Sequence, residues 1–335
     1  MDTAQRRVLG LVAIASWLLL DSVRTAGPLL SDLYDSSLTV AILGASATFV
    51  GGGLLGWGAA ALGRHFGHGW VLLYVLGVLG VLRLGLPLLE GGWLVGAGLY
   101  LTAIAIAAVV LATRVALGSG GASAALAGTS LGAAAAVAEQ TVLRTWGAVW
   151  RGALLGWGAL AGVAVLAIVN GWRCRELVPA RATRGWWALG LHWSLLALAF
   201  ANVGWINAQT ELRMSAGSAL AIVALCAAAG LAAQAHRVGR VLALVLCAAG
   251  IAALAVVMLS PGMSAAIALP IAVACTTLGA AQSLRPARRG SFRGLTAAIM
   301  FGVALFAPVL LIQLDAEVPL GVPALTVAVV AGAVV

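Results

Sequence analysis

The sequence predicts an all-α polytopic membrane protein of about twelve transmembrane helices, and three observations carry that expectation. Apolar runs of about 20 residues recur from end to end, each long enough to cross a hydrocarbon core of roughly 30 Å. Of the 335 residues, 63% are hydrophobic and only 9% charged, against roughly 25% charged in a soluble domain, too few to clothe a water-facing surface. Strand-like alternation is absent, which argues against a β-barrel, whereas helices satisfy their own backbone hydrogen bonds as lipid demands.

In chain order the expected spans lie near 8–31, 38–62, 69–89, 92–113, 121–138, 149–170, 185–207, 215–234, 239–259, 263–283, 294–313 and 320–335. The first begins after Arg6 and Arg7, a pattern that also suits a signal peptide. Its apolar character resumes past Asp21 and Arg24 through Gly27-Pro28-Leu29-Leu30, without a clean small-x-small cleavage site, so it reads as a retained span. The twelfth has only 16 residues after Leu320 and no polar exit, which predicts that the native polypeptide continues past Val335.

The net charge of +9 comes from 19 arginines and no lysine. Fourteen of them, from Arg6 and Arg7 through Arg64, Arg114, Arg173 and Arg184 to Arg285 and Arg293, fall in connectors on one side of the expected spans. The opposite side holds Arg144, Arg151 and Arg213 together with most of the acidic residues. That bias predicts a cytoplasmic N-terminus in a cell membrane. No basic patch interleaved with aromatics appears, so the charge reports topology rather than nucleic-acid binding. The partners expected are the lipid bilayer and a small-molecule or lipid substrate.

The longest Arg-rich connector, 171–184, divides the spans six and six. The expected organisation is therefore an N-terminal six-helix bundle over 1–170, a cytoplasmic linker over 171–184, and a C-terminal six-helix bundle over 185–335. Small residues such as Gly51-Gly52-Gly53 and Ala133 to Ala136 allow close helix approach. Trp70, Trp93, Trp172, Trp186, Trp187 and Trp205 fall near expected interfaces, as an aromatic belt requires.

Charge within a bilayer demands a partner or a wet cavity. Asp21 and Arg24 are spaced to pair along one helix face, and Arg83 lies at comparable depth in the third span, able to compete for Asp21. Two readings stand: a cavity-lining cluster that binds an anionic group or couples to protons, or an internal salt bridge fastening spans 1 and 3. The seventh span is also polar, with His192, Asn202, Asn207 and Gln209. His192 titrates near neutrality when unperturbed, but a lone histidine among tryptophans is more often a hydrogen-bonded packing residue. Glu139, Arg144 and Arg151 are expected to form an amphipathic surface segment.

No catalytic constellation emerges: H-E-x-x-H, G-x-S-x-G and P-loop patterns are absent, and the carboxylates are scattered. His65 and His68 lack a third ligand for a metal. The four cysteines show no CxxC or CxH spacing. Neither a cofactor, a metal nor an enzyme active site is implied for these residues.

After the second span, Ala60-Ala61-Leu62-Gly63-Arg64-His65-Phe66-Gly67-His68 resembles the major facilitator signature Gly-x-Leu-Ala-Asp-Arg-x-Gly-Arg. Leu62 and Gly67 match, while Arg64 replaces the aspartate and His65 the arginine. In that family spans 1, 4, 7 and 10 line a central cavity, so the resemblance implies that Asp21, Arg24, Arg83, His192, Asn202 and Asn207 bind or couple a solute moved by alternating access. Val23 to Leu30 and Leu143 to Gly152 are similar to the multi-span membrane domain of certain actinobacterial proteins. There it precedes an endonuclease/exonuclease/phosphatase-type domain. That likeness implies the alternative, a non-transporting scaffold for a lipid-acting hydrolase domain beyond Val335.

Overall fold

The computed structural model describes residues 3–36, 38–119, 121–143, 148–170, 177–179, 182–184 and 285–287, together with 227, 241–242, 245, 248–249, 252–253 and 274–275. Six helices fill most of this: α1 (Thr3–Ser36), α2 (Leu38–Phe66), α3 (His68–Leu84), α4 (Gly91–Ser119), α5 (Gly121–Val142) and α6 (Ala148–Asn170). They overlie the first six expected spans. The expected spans from 185 onward lie outside the described residues, apart from isolated positions.

The helices overrun the apolar windows in both directions. α1 runs to Ser36 and α4 to Ser119, so Arg114 belongs to the last turns of a helix rather than to a connector. Hydropathy marks where lipid ends, whereas the backbone hydrogen-bond ladder ends only where the chain turns. The third span is shorter than its window. α3 stops at Leu84, and Gly85 leads into a 3-10 turn, Leu86–Leu88, closed by Leu88 N–H to the Gly85 carbonyl at 3.0 Å. Pro87 is the cause, because its ring cannot continue an α-helical ladder. Between α2 and α3 a single residue makes the reversal. It is Gly67 at φ 91°, a left-handed value that glycine adopts at no steric cost.

α1 and α4 are central. Val8, Leu11, Val12, Ala15, Leu18 and Leu19 on α1 are fully buried, as are most positions of α4 from Leu101 to Leu117. α3 and α6 are peripheral and leave apolar side chains exposed, including Tyr74 and Val81 on α3 and Trp157, Val165 and Ile168 on α6. Among the described residues, His68–Leu88, Gly91–Ser119 and Val149–Ile168 are each long and apolar enough to cross a membrane. Their exposed apolar faces are what a lipid-immersed surface requires.

Lipid tails are as apolar as leucine, so helices associate here by close packing at small residues. α5 lays Gly128 and Gly132, one turn apart, on α1. A Cβ at Gly132 would lie 2.5 Å from the Ala13 carbonyl oxygen and 2.5 Å from Ser16 Cβ. α3 and α6 meet at Gly80 and Gly156, where a Cβ on Gly156 would stand 2.5 Å from the Gly80 carbonyl oxygen. α2 places Gly52 against Ala103 and Ile106 of α4. Glycine recurs in the same role at three different helix pairs.

The all-helical expectation has one local exception. β1 (Ala182–Arg184) and β2 (Arg285–Ala287) pair antiparallel, with Ala182 opposite Ala287 and Arg184 opposite Arg285. The Ser119 hydroxyl at the end of α4 both donates to the Val178 carbonyl (3.1 Å) and accepts from its N–H (3.0 Å). Two Arg-rich connectors are thus hydrogen-bonded to each other at the end of the molecule where α4 finishes.

Two outcomes follow. Gly132→Ala forces α5 off α1 and destabilises the protein by at least the roughly 1–3 kcal/mol of ordinary overpacking. Gly77→Ala meets nothing within 4 Å and gains up to about 1 kcal/mol of helix propensity; thermal unfolding in detergent compares the two. Oxidation of a Thr183→Cys/Pro286→Cys variant should yield a linked peptide pair by mass spectrometry, since the two positions are Cα partners, and its absence contradicts the ladder.

Candidate functional site

Asp21 lies on α1 and Arg83 in the last turn of α3, and their side chains meet inside the bundle. Arg83 Nη1 donates to Asp21 Oδ2 at 2.7 Å. Arg83 Nη2 donates to the Leu18 carbonyl at 2.9 Å and to the Ser22 hydroxyl, which in turn donates to the same carbonyl at 2.6 Å. Arg83 is 1% exposed, Asp21 2% and Ser22 3%.

The local chain explains how the cluster assembles. Leu18, Asp21 and Ser22 are three and four residues apart, so they share one face of α1. Ser22 returns its hydroxyl to the carbonyl four residues back, a common way for serine to satisfy itself in an apolar helix. That leaves Oγ and the Leu18 carbonyl oxygen side by side as acceptors. The guanidinium, a planar fork of donors, reaches carboxylate, hydroxyl and carbonyl together. Room for the arginine comes from α6, because Gly156 faces Arg83 and a Cβ there would lie 3.2 Å from Arg83 Cβ. Arg83 Nε makes no hydrogen bond among the described residues.

Of the two carboxylate partners expected from spacing, the structure brings Arg83 to Asp21. Arg24 stands one turn further along α1, with its side chain outside the described set. His192, Asn202 and Asn207 also lie outside the described residues. Ser22 and the Leu18 carbonyl are contributors that sequence reasoning passed over. The available signal was a serine next to an intramembrane aspartate and four residues after a leucine. Arg151, expected on an amphipathic surface segment, is instead 8% exposed at the start of α6, where the adjacent Gly152 faces Leu86.

Neither charge faces water in this conformation. An arginine and an aspartate sealed in an apolar bundle satisfy each other, and each is costly without the other. Chemically the cluster holds an anion on a guanidinium, and the anion held is the protein's own carboxylate. Among the described residues there is no group of three or more His, Cys, Asp or Glu side chains placed to hold a metal ion.

Neither a protein-family model nor a curated protein matches the sequence. Comparison with solved structures finds the major facilitator fold. The human organic anion transporter MFSD10 (TETRAN) is similar over 99% of this chain and 99% of its own, with TM-score 0.61 and 14% sequence identity. A variant of the E. coli fucose:proton symporter FucP is similar over 96% of this chain and 97% of its own, with TM-score 0.54 and 15% identity. FucP in the outward conformation is similar over 96% and 99%, with TM-score 0.53 and 14% identity. At these identities the likeness establishes the fold: this chain is an all-α, multi-pass membrane protein of major facilitator type.

The cluster generates a stability prediction. Arg83→Leu strands a buried carboxylate and should cost about 3–5 kcal/mol, read as a fall in the unfolding midpoint. The paired variant Asp21→Asn/Arg83→Gln removes both charges and should recover most of that loss.

Proposed function

We propose that this chain is a transporter of a small anionic or amphipathic organic solute, working by alternating access in the plasma membrane with its N-terminus in the cytoplasm. The observation that carries the reading is a buried guanidinium–carboxylate pair in a chain whose fold matches transporters over nearly its whole length. The organic anion transporter among the similar structures supports the choice of an anionic solute.

In this reading Asp21 is a stand-in for substrate. With the site closed, its carboxylate occupies the Arg83 donor. When the two bundles rock apart, a substrate carboxylate or phosphate takes over that donor, and Asp21 turns to Arg24 or to a proton. The exchange keeps the guanidinium paired throughout, so no step leaves a lone charge in the bilayer. In the same reading His192, Asn202 and Asn207, in the expected seventh span, supply hydrogen bonds that select the solute.

The test is uptake of radiolabelled organic carboxylates, with a neutral sugar as comparison, into proteoliposomes holding the full chain. Saturable carboxylate uptake is expected. The variant Asp21→Asn/Arg83→Gln, which keeps its fold, should lose roughly tenfold or more of that uptake. Wild-type uptake by the variant makes the pair a fastener only. Absence of flux for every solute overturns transport and leaves a membrane scaffold for a lipid-acting hydrolase domain as the standing alternative.

A further inference from the structure

The connector that follows α6 is tied back to the helix bundle at two neighbouring residues. Leu177 is buried and belongs to the same hydrophobic core as α1 and α4. Val178 exchanges two hydrogen bonds with Ser119, the last residue of α4: its N–H donates to the hydroxyl, and its carbonyl accepts from it. One serine side chain thus satisfies both backbone groups of a residue, as a neighbouring strand would. β1 begins four residues later, so its place is set from the end of α4.

β2 comes from the second half of the chain, between the tenth and eleventh expected spans. It pairs antiparallel with β1 and also touches α4. A connector of the second half is therefore hydrogen-bonded to one anchored on the first. The ladder has only three pairs, with Thr183 opposite Pro286 in the middle. Proline has no N–H to give, so a bonded ladder puts this pair at the non-hydrogen-bonded position and leaves the bonds to its two neighbours. Two short strands without a third are marginal by themselves. Two ties stand in series, and they differ in strength. The anchor to α4 has a buried leucine besides its hydrogen bonds, whereas the ladder is brief and interrupted by proline.

We infer that the β1–β2 ladder is a releasable clasp between the two halves of the chain. It holds them together at the end where α4 finishes and parts when they rock, while Ser119 keeps β1 on α4. Ser119 is then a positioning residue: it presents β1 where β2 can pair with it again in register. The role of the clasp in transport rests on the alternating-access reading; its opening does not.

Hydrogen–deuterium exchange of the full chain in detergent, read by mass spectrometry, tests the opening. Amides of 182–184 and 285–287 should exchange together, well before those of central α4. Ser119→Ala removes only the hydroxyl and should speed both segments about fivefold or more. Ser119→Thr keeps the hydroxyl and should hold the wild-type rates. Protection of the two segments equal to that of central α4 overturns the inference. So does a Ser119→Ala effect confined to 177–184, or the same effect from Ser119→Thr. The second arm is carboxylate uptake into proteoliposomes by Thr183→Cys/Pro286→Cys, whose Cα atoms stand at the roughly 4.5 Å of a non-hydrogen-bonded pair, within disulfide reach. Oxidation should stop uptake and dithiothreitol should restore it, with each single-cysteine variant indifferent to both. Full uptake by the linked protein means that the ladder never parts, and it sinks the clasp with transport intact. Absence of uptake by the wild-type chain counts against the transporter reading alone, and the exchange rates still decide whether the clasp opens.

Discussion

A guanidinium and a carboxylate locked together in an apolar helix bundle set where α1 and α3 stand relative to each other. Lipid supplies no water to either charge, so the alternative to pairing is a penalty of several kcal/mol for each ion. Hydrophobic side chains in a membrane slide past one another with little change in energy, because lipid tails replace each lost contact. The Asp21–Arg83 contact at 2.7 Å has no such substitute. It fixes depth and rotation at once, and the Leu18 carbonyl and Ser22 hydroxyl sharpen the geometry by occupying the rest of the fork.

Packing around that point follows from residue size. Between Val8 and Ser22 no α1 side chain is exposed, which is sustainable only if its neighbours come close, and glycines allow this. Gly128 and Gly132 bring α5 onto the α1 backbone, while Gly156 brings α6 onto Gly80 and leaves space beside Arg83. The arginine therefore sits where two helices touch backbone to backbone. Long side chains elsewhere on α3 and α6 point outward into the lipid-facing surface. Central α1 and α4 and peripheral α3 and α6 are two consequences of one distribution of small and large residues.

Charge is used in two different ways in the described bundle. Inside, Arg83 and Asp21 are matched and sealed. At the end where α2 meets α3, Arg64 is exposed in the last turn of α2, and Arg114 lies in the last turns of α4. The two places are separated along α3, with His68 at its start and Arg83 near its end.

Much of the fold was legible in the chain by itself. Apolar length located six helices, because a backbone in lipid must be helical and must cross. Arginine placement put the connectors at 171–184 and 285–293 on one side, and the pairing of Ala182–Arg184 with Arg285–Ala287 joins them. The intramembrane charges were legible too, since Asp21, Arg24 and Arg83 stand out against 63% hydrophobic composition. What spacing left open was the choice between Arg24 and Arg83, because a helix offers an i, i+3 partner regardless of what a neighbouring helix brings. Only tertiary packing decided that Arg83 reaches Asp21, through the room that Gly156 leaves. It also decided that Arg151 is buried and that Arg114 lies within α4 rather than in a loop. Local sequence dictates what each segment is, through hydrogen bonding and hydropathy along one chain. Which charges meet is settled between segments, where a missing side chain on one helix determines how far an arginine on another can extend.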